Sequence, residues 1–254
     1  MTSVIGTPNP TQVVLQPPEN GILGSYAKKV LSPSVRRVMT HSLKEIFSGI
    51  DCRDFEGPCD QSVTGIVIDS RRANPGCLFF ALPGLRSDGS YFVDDAIDRG
   101  AVAVVSAHRR QFTPSGVTAI KVERPREVLA EVARRFYGTP DEALNVIGVT
   151  GTNGKTTVTY LAKHLLEGGG KPVGLLGTIS YDLGARTVPA YRTTPESVDI
   201  FGMLAKMRAA GCREVAMEVS SHGINQERVR GLKLRVAAFL NLTRDHLDYH
   251  GSME

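Results

Sequence analysis

The 254-residue chain is 41% hydrophobic and 22% charged, the make-up of a globular protein with one large or two ordinary domains. A formal net charge of +4 over that length is too mild to point to nucleic acid, and suits anionic small molecules. No apolar run approaches the roughly 18 residues of a membrane helix. The N-terminus lacks a signal-peptide pattern, and Cys52, Cys59, Cys77 and Cys212 fit no zinc spacing. The expectation is a cytoplasmic monomer with reduced thiols and no membrane insertion.

Residues 1–40 hold Pro8, Pro10, Pro17, Pro18 and Pro33 without sustained periodicity, and read as a flexible extension. Ser42 to Phe47 reads as a helix capped by Ser42, with Glu45 three residues on. Strands are expected at Thr64–Asp69, at Cys77–Leu82 after the turn Asn74-Pro75-Gly76, at Ala101–Ser106 and at Val117–Val122. Helices are expected at Tyr91–Arg99, ended by Gly100, and at Arg126–Tyr137. This alternation predicts a small α/β domain over residues 41–139, with its boundary at Gly138-Thr139-Pro140.

The pattern then restarts. Val146–Thr150 reads as a strand, followed by a Gly-rich turn, a helix at Thr156–Leu166 and a strand at Pro172–Leu176. A helix at Ser197–Ala210, ended by Gly211, leads to strands at Glu214–Val219 and Val236–Leu240. Strand, crossover helix and strand predict a doubly wound, mostly parallel sheet over residues 140–254. No helix is expected after the last strand, although a parallel sheet needs both faces covered. The domain therefore reads as incomplete, and its open edge and apolar face predict poor solubility.

Between the first strand of that domain and its helix lies Gly148-Val149-Thr150-Gly151-Thr152-Asn153-Gly154-Lys155-Thr156-Thr157. Glycines let the backbone curl so that successive N–H groups face phosphate oxygens, and the helix start adds free N–H groups and partial positive charge. Lys155 can reach the β- and γ-phosphates, and the Thr156 hydroxyl can ligate Mg²⁺. The general pattern has Gly where this sequence has Val149, with the glycines at Gly148 and Gly151 instead. The loop by itself specifies a nucleoside triphosphate and no more.

Glu218 ends an apolar strand in EVAMEVSSHG, at the rim where open α/β sheets bind ligands, and a carboxylate there can hold Mg²⁺. His246, in NLTRDHLDYHG, follows the next strand. It reads as a metal ligand, a phosphate contact or a plain surface group. His41, His108, His164 and His250 read as surface groups. Asp69-Ser70-Arg71 and Gly84–Gly89 follow strands of the front domain. They suit a nucleotide-sugar diphosphate and equally suit plain loops.

Taken together, TGTNGKTT, EVSSHG and NLTRDHLDYHG, with DSR and LFFALPGLRSDG before them, resemble the Mur ligases over about Val63–Glu254. Among these the resemblance is to the member that adds the third residue of the peptide stem in bacterial cell-wall precursor synthesis. It implies that Ile68, Ser70, Leu85, Arg86 and Ser87 contact uridine diphosphate, and that Gly151, Thr152, Asn153, Gly154, Lys155, Thr156 and Thr157 hold ATP. It places Arg192, Thr193 and Thr194 at the muramoyl dipeptide, where Arg192 departs from the family's usual Asn. Ser221, Gln226 and Arg228 match further substrate contacts, and Thr156, Glu218 and His246 match the Mg²⁺ site, making Lys155, Glu218 and His246 the catalytic set. The implied reaction joins UDP-N-acetylmuramoyl dipeptide to an amino acid, meso-diaminopimelate or lysine, through an acyl phosphate. The family's carboxylated lysine and its third domain have no counterpart here. Two readings follow: a piece of a ligase, or a short non-catalytic protein that binds UDP-muramoyl peptide or ATP.

Overall fold

The computed structural model describes residues 40–50, 54–84, 87–108 and 113–253, so the expected extension before Thr40 lies outside the described residues. The front region opens with β1 (His41–Ser42) and α1 (Leu43–Ile46), followed by β2 (Asp54–Glu56), β3 (Ser62–Val63), β4 (Gly65–Val67) and β5 (Cys77–Phe80). Then come α2 (Val93–Asp98), β6 (Ala103–Ser106), β7 (Thr118–Lys121) and α3 (Pro125–Phe136). α1 carries the expected capping box: the Glu45 N–H donates to Ser42 Oγ at 3.2 Å, and the Ser42 N–H donates to Glu45 Oε2 at 3.0 Å. β1 and β3 pair by themselves, and the main front sheet runs β2-β7-β6-β5-β4. β4 to β7 are parallel and β2 is antiparallel at the edge. β5 and β6 are buried at every position, as apolar strands inside a parallel sheet must be.

The second region holds β8 (Asn145–Thr150), α4 (Lys155–Glu167), β9 (Val173–Leu176), β10 (Ser180–Asp182), β11 (Thr187–Pro189) and α5 (Ser197–Ala209). β12 (Glu214–Glu218), α6 (Ser221–Asn225), β13 (Leu234–Phe239) and α7 (Leu247–His250) complete it. The sheet order is β11-β10-β9-β12-β8-β13, with β9, β12, β8 and β13 parallel. β8 thus lies between β12 and β13, so the carboxyl ends of three neighbouring strands share one rim. α3 of the front region packs on α5. Arg134 of α3 donates to the buried Asp141 carboxylate at 2.9 Å, and Asp141 also accepts the Lys233 N–H at 2.9 Å. The described residues belong to one compact unit.

Several expected bounds shift. The Thr64–Asp69 strand stops at Val67, because Asp69 turns to cap a 3₁₀ turn at Ser70–Arg72. The first strands end earlier or begin later than expected, at Phe80, Ala103 and Lys121. Tyr91 and Phe92 lie in a 3₁₀ turn, and the α-helix begins at Val93. β2, β10 and β11 are three residues each, too short for a period-2 pattern to register. A helix does follow the last strand, contrary to expectation, but α7 is only four residues long. β13 stays exposed along most of its length, with Phe239 67% accessible. No helix among the described residues is long and apolar enough to cross a membrane.

Candidate nucleotide site

The rim is built around the turn that leaves β8. Val146 and Val149 anchor the strand in the core, and the chain then curls through Gly151 (φ 144°) and Gly154 (φ 86°). Both angles favour glycine. At Gly151 a Cβ would also stand 3.1 Å from the backbone of Asn241, so the loop needs glycine for its close approach as well. Gly154 is the N-cap of the 13-residue α4, and no side chain caps that end. The first N–H groups of α4 are thereby left for an anion, with the helix dipole adding positive potential. Lys155 Nζ donates to the carbonyls of Gly151 at 2.6 Å and Thr152 at 3.0 Å, which folds its ammonium over the loop.

The loop is held from the end of β13. The Asn153 N–H donates to Asn241 Oδ1 at 2.9 Å, and Asn241 Nδ2 donates back to the Asn153 carbonyl at 3.0 Å. The Thr152 N–H donates to the Asn241 carbonyl at 3.1 Å, and the Thr243 N–H donates to Thr152 Oγ1 at 2.9 Å. Asn241 escaped sequence reasoning. Its only signal was its place just after an apolar strand.

Glu218, the last residue of β12, is 1% exposed. Thr156 Oγ1 donates to its Oε2 at 2.9 Å and Thr178 Oγ1 to the same oxygen at 3.1 Å, while the Thr178 N–H donates to Oε1 at 2.8 Å. Gly177 makes the room: a Cβ there would stand 2.6 Å from Oε1. Among the described residues no basic side chain pairs with this carboxylate, and hydrogen bonds alone offset its burial. Two hydroxyls and a carboxylate are hard oxygen donors of the kind Mg²⁺ takes, so these residues fit the cation. Thr178 was not expected at this site.

His246 stands elsewhere on the rim. With Gly151, Lys155, Ser221, Phe239 and Asn241 it lines a cavity of about 360 Å³, whose lining includes neither Thr156 nor Glu218. Its ring packs edge-on against His222, centroids 4.6 Å apart. Burial, aided by the positive potential of His246 and His250, holds the His222 imidazole below its usual pKa. Among the described residues no cluster of three or more His, Cys, Asp or Glu side chains is arranged to hold a metal. His250, expected to be a surface group, also lines the cavity, with Nε2 3.0 Å from Ser221 Oγ.

The expected dipeptide contacts form a network behind the same rim. Thr194 Oγ1 donates to the Glu218 carbonyl at 3.0 Å and accepts the Ser220 N–H at 2.9 Å. Thr193 Oγ1 lies 3.0 Å from Thr178 Oγ1. Arg228 donates from Nη1 to the Thr194 carbonyl at 2.8 Å and from Nη2 to Gln226 Oε1 at 2.6 Å. Arg192 pairs with Glu196. Thr194 and Arg228 are buried, so their visible bonds are internal ones.

The front loops stand apart. Ser70 is buried. Asp69 accepts the Arg71 N–H at 3.0 Å and pairs with its guanidinium at 2.7 Å, which holds the Asp69 carboxyl below its usual pKa. Ile68 packs half-buried against the core and Ser87 is exposed. Leu85 and Arg86 lie outside the described residues.

A strand, a glycine loop carrying Lys-Thr, a helix and a buried acid at the neighbouring strand end define a phosphate-loop nucleotide-binding sheet. The Mur ligase middle domain model matches residues 149–254, and the model described as Mur ligase family, catalytic domain, matches residues 62–137. The chain belongs to the Mur ligase family. It is 50% identical over 194 residues to the UDP-N-acetylmuramoyl-L-alanyl-D-glutamate--2,6-diaminopimelate ligase of Solibacter usitatus, which covers 76% of this chain and 39% of that protein. It is 44% identical over 212 residues to the ligase of the same name from Geobacter metallireducens, covering 84% and 41%. A solved structure of a UDP-N-acetylmuramoyl-L-alanyl-D-glutamate--2,6-diaminopimelate ligase superposes with a TM-score of 0.70 at 29% identity, over 85% of this chain and 43% of that one. The chain thus spans about two fifths of the length of these curated relatives.

Proposed function

We propose that this chain is the front part of an ATP-dependent ligase that adds meso-diaminopimelate to UDP-N-acetylmuramoyl-L-alanyl-D-glutamate. The names of the relatives support the substrate pair. The observation that carries the reading is the convergence on one rim of the Gly151–Thr157 loop, Glu218 at the end of β12 and Asn241 after β13. In this reading residues 41–139 bind the UDP-sugar and residues 140–254 bind ATP. The loop N–H groups and Lys155 take the phosphates. Thr156, Glu218 and Thr178 would hold Mg²⁺, which when bound neutralises phosphate charge; His246, in the cavity wall with Gly151 and Lys155, would face the phosphates instead. Thr193, Thr194, Ser221, Gln226 and Arg228, with Arg192, frame the dipeptide, and Ile68, Ser70, Leu85, Arg86 and Ser87 frame the uridine diphosphate.

A carboxylate oxygen of the substrate attacks the γ-phosphorus of ATP, and ADP leaves. The amine nitrogen of the amino acid then attacks the acyl carbon, the C–O bond to phosphate breaks, and the amine sheds its proton. Lys155 and the loop serve both steps by position and charge rather than by covalent chemistry.

The test is calorimetry of the purified chain with Mg²⁺–ATP and with UDP-N-acetylmuramoyl-L-alanyl-D-glutamate, followed by an assay for phosphate release with diaminopimelate or lysine. Binding of both ligands is expected. Binding of neither overturns the reading. Amide formation with one amino acid and not the other would identify the third residue of the stem.

A further inference from the structure

Glu196 is a buried acid, 6% exposed, directly before α5 and two residues after Thr194. Three guanidiniums share its carboxylate. Arg192 Nη1 bonds Oε1, Arg228 Nε stands 3.2 Å from the same oxygen, and Arg126 Nη1 donates to Oε2 at 3.1 Å. The three arginines come from three separate segments: α3 of the front region, the turn before α5, and the stretch after α6.

Arg228 commits Nη1 and Nη2 to Thr194 and Gln226, and its Nε has no hydrogen bond although Glu196 is near. A guanidinium that is 9% exposed needs a counter-charge to stay in place, and among the described residues Glu196 is the one that supplies it. The balance around that carboxylate is unequal, with three positive groups against one negative. The surplus positive charge lies beside Thr193 and Thr194, a setting that favours an anionic group such as a peptide carboxylate.

We infer that Glu196 is a positioning residue for the dipeptide end of the substrate. It orients Arg192 and Arg228, and through Arg126 it ties their setting to α3 of the front region. The inference rests on the substrate reading above and adds to it a residue that touches no ligand. A bare structural staple would need no such placement of two arginines at the dipeptide rim.

The test compares the full chain with its Glu196→Gln, Glu196→Asp, Arg126→Gln and Arg126→Gln/Glu196→Gln variants. Calorimetric titrations use UDP, UDP-N-acetylmuramoyl-L-alanyl-D-glutamate and Mg²⁺–ADP. Glu196→Gln is expected to weaken the dipeptide-bearing sugar about tenfold or more, while UDP and Mg²⁺–ADP change less than about twofold. Glu196→Asp should recover part of the loss. Arg126→Gln should cost less, and nothing further once Glu196 is Gln. A lowered melting temperature with unchanged ligand discrimination, or equal weakening of UDP and the dipeptide sugar, would overturn the inference and leave a staple. If the unaltered chain binds Mg²⁺–ADP but not the dipeptide sugar, the substrate reading itself fails and the inference falls with it. If Glu196→Gln does not melt cooperatively, Glu196→Asp against the unaltered chain decides, and equal discrimination by the two would overturn the inference.

Discussion

After β4 and β5, two acidic side chains are satisfied from a few positions away. Asp69 serves Arg71, and Asp88 accepts the Ser90 N–H at 2.7 Å, each a bond across two residues. After β8 the bonds come from far along the chain. Asn153 is held by Asn241 across 88 residues, and Thr156 by Glu218 across 62. Local turns of the first kind form wherever their few residues lie. The second arrangement exists only once β12, β8 and β13 are side by side. The phosphate rim is therefore a product of the whole sheet, whereas the front loops are self-contained.

That contrast can be broken at four strengths. Lys155→Ala should weaken Mg²⁺–ATP by more than about 100-fold, about 2.7 kcal/mol, and leave UDP binding intact. Calorimetry with both ligands checks it, and parallel losses would mean that the two sheets do not act separately. Gly177→Ala sets a methyl group 2.6 Å from Glu218 Oε1, so the carboxylate must move. The expected cost is about 2 kcal/mol, or roughly 30-fold, in the Mg²⁺-dependent share of ATP affinity. Titrations with and without Mg²⁺ separate that share from general damage, and equal losses in the two would count against the carboxylate as the cause. Asn241→Ala removes the two-way clamp on Asn153 and should weaken ATP about tenfold, about 1.4 kcal/mol. An unchanged affinity would show that the loop keeps its shape unaided. Ser70→Ala removes one hydroxyl from the proposed uridine-diphosphate frame, and should weaken UDP about threefold, about 0.7 kcal/mol. An unchanged UDP affinity would take Ser70 out of that frame.

The same division explains what the sequence made legible. The capping box of Ser42 and Glu45 spans three residues, and the loop from Gly151 to Thr157 is contiguous, so each could be read from order alone. β5 and β6 were legible because burial on both faces leaves an unbroken apolar run. Asn241, Thr178 and Glu196 were not legible as partners. Each is an ordinary polar residue whose meaning lies in a bond to a loop or strand 40 to 88 positions away, or in a cluster of arginines from separate segments. Arg228 was expected as a substrate contact from its motif, but motif order gave no sign that it would be buried and bonded to Thr194 and Gln226.

Tyr181 is fully buried in β10, and its hydroxyl bonds the same residue twice, donating to the Arg192 carbonyl and accepting the Arg192 N–H at 3.0 Å. Peeling the chain away at Arg192 breaks both bonds together and strands a phenol in the core. Arg192 has an exposed side chain, yet its amide proton can exchange with solvent only when its bond to the buried Tyr181 hydroxyl breaks. In deuterated water that amide should keep pace with the slow protons of β9 and β12, not with the fast protons of a surface turn.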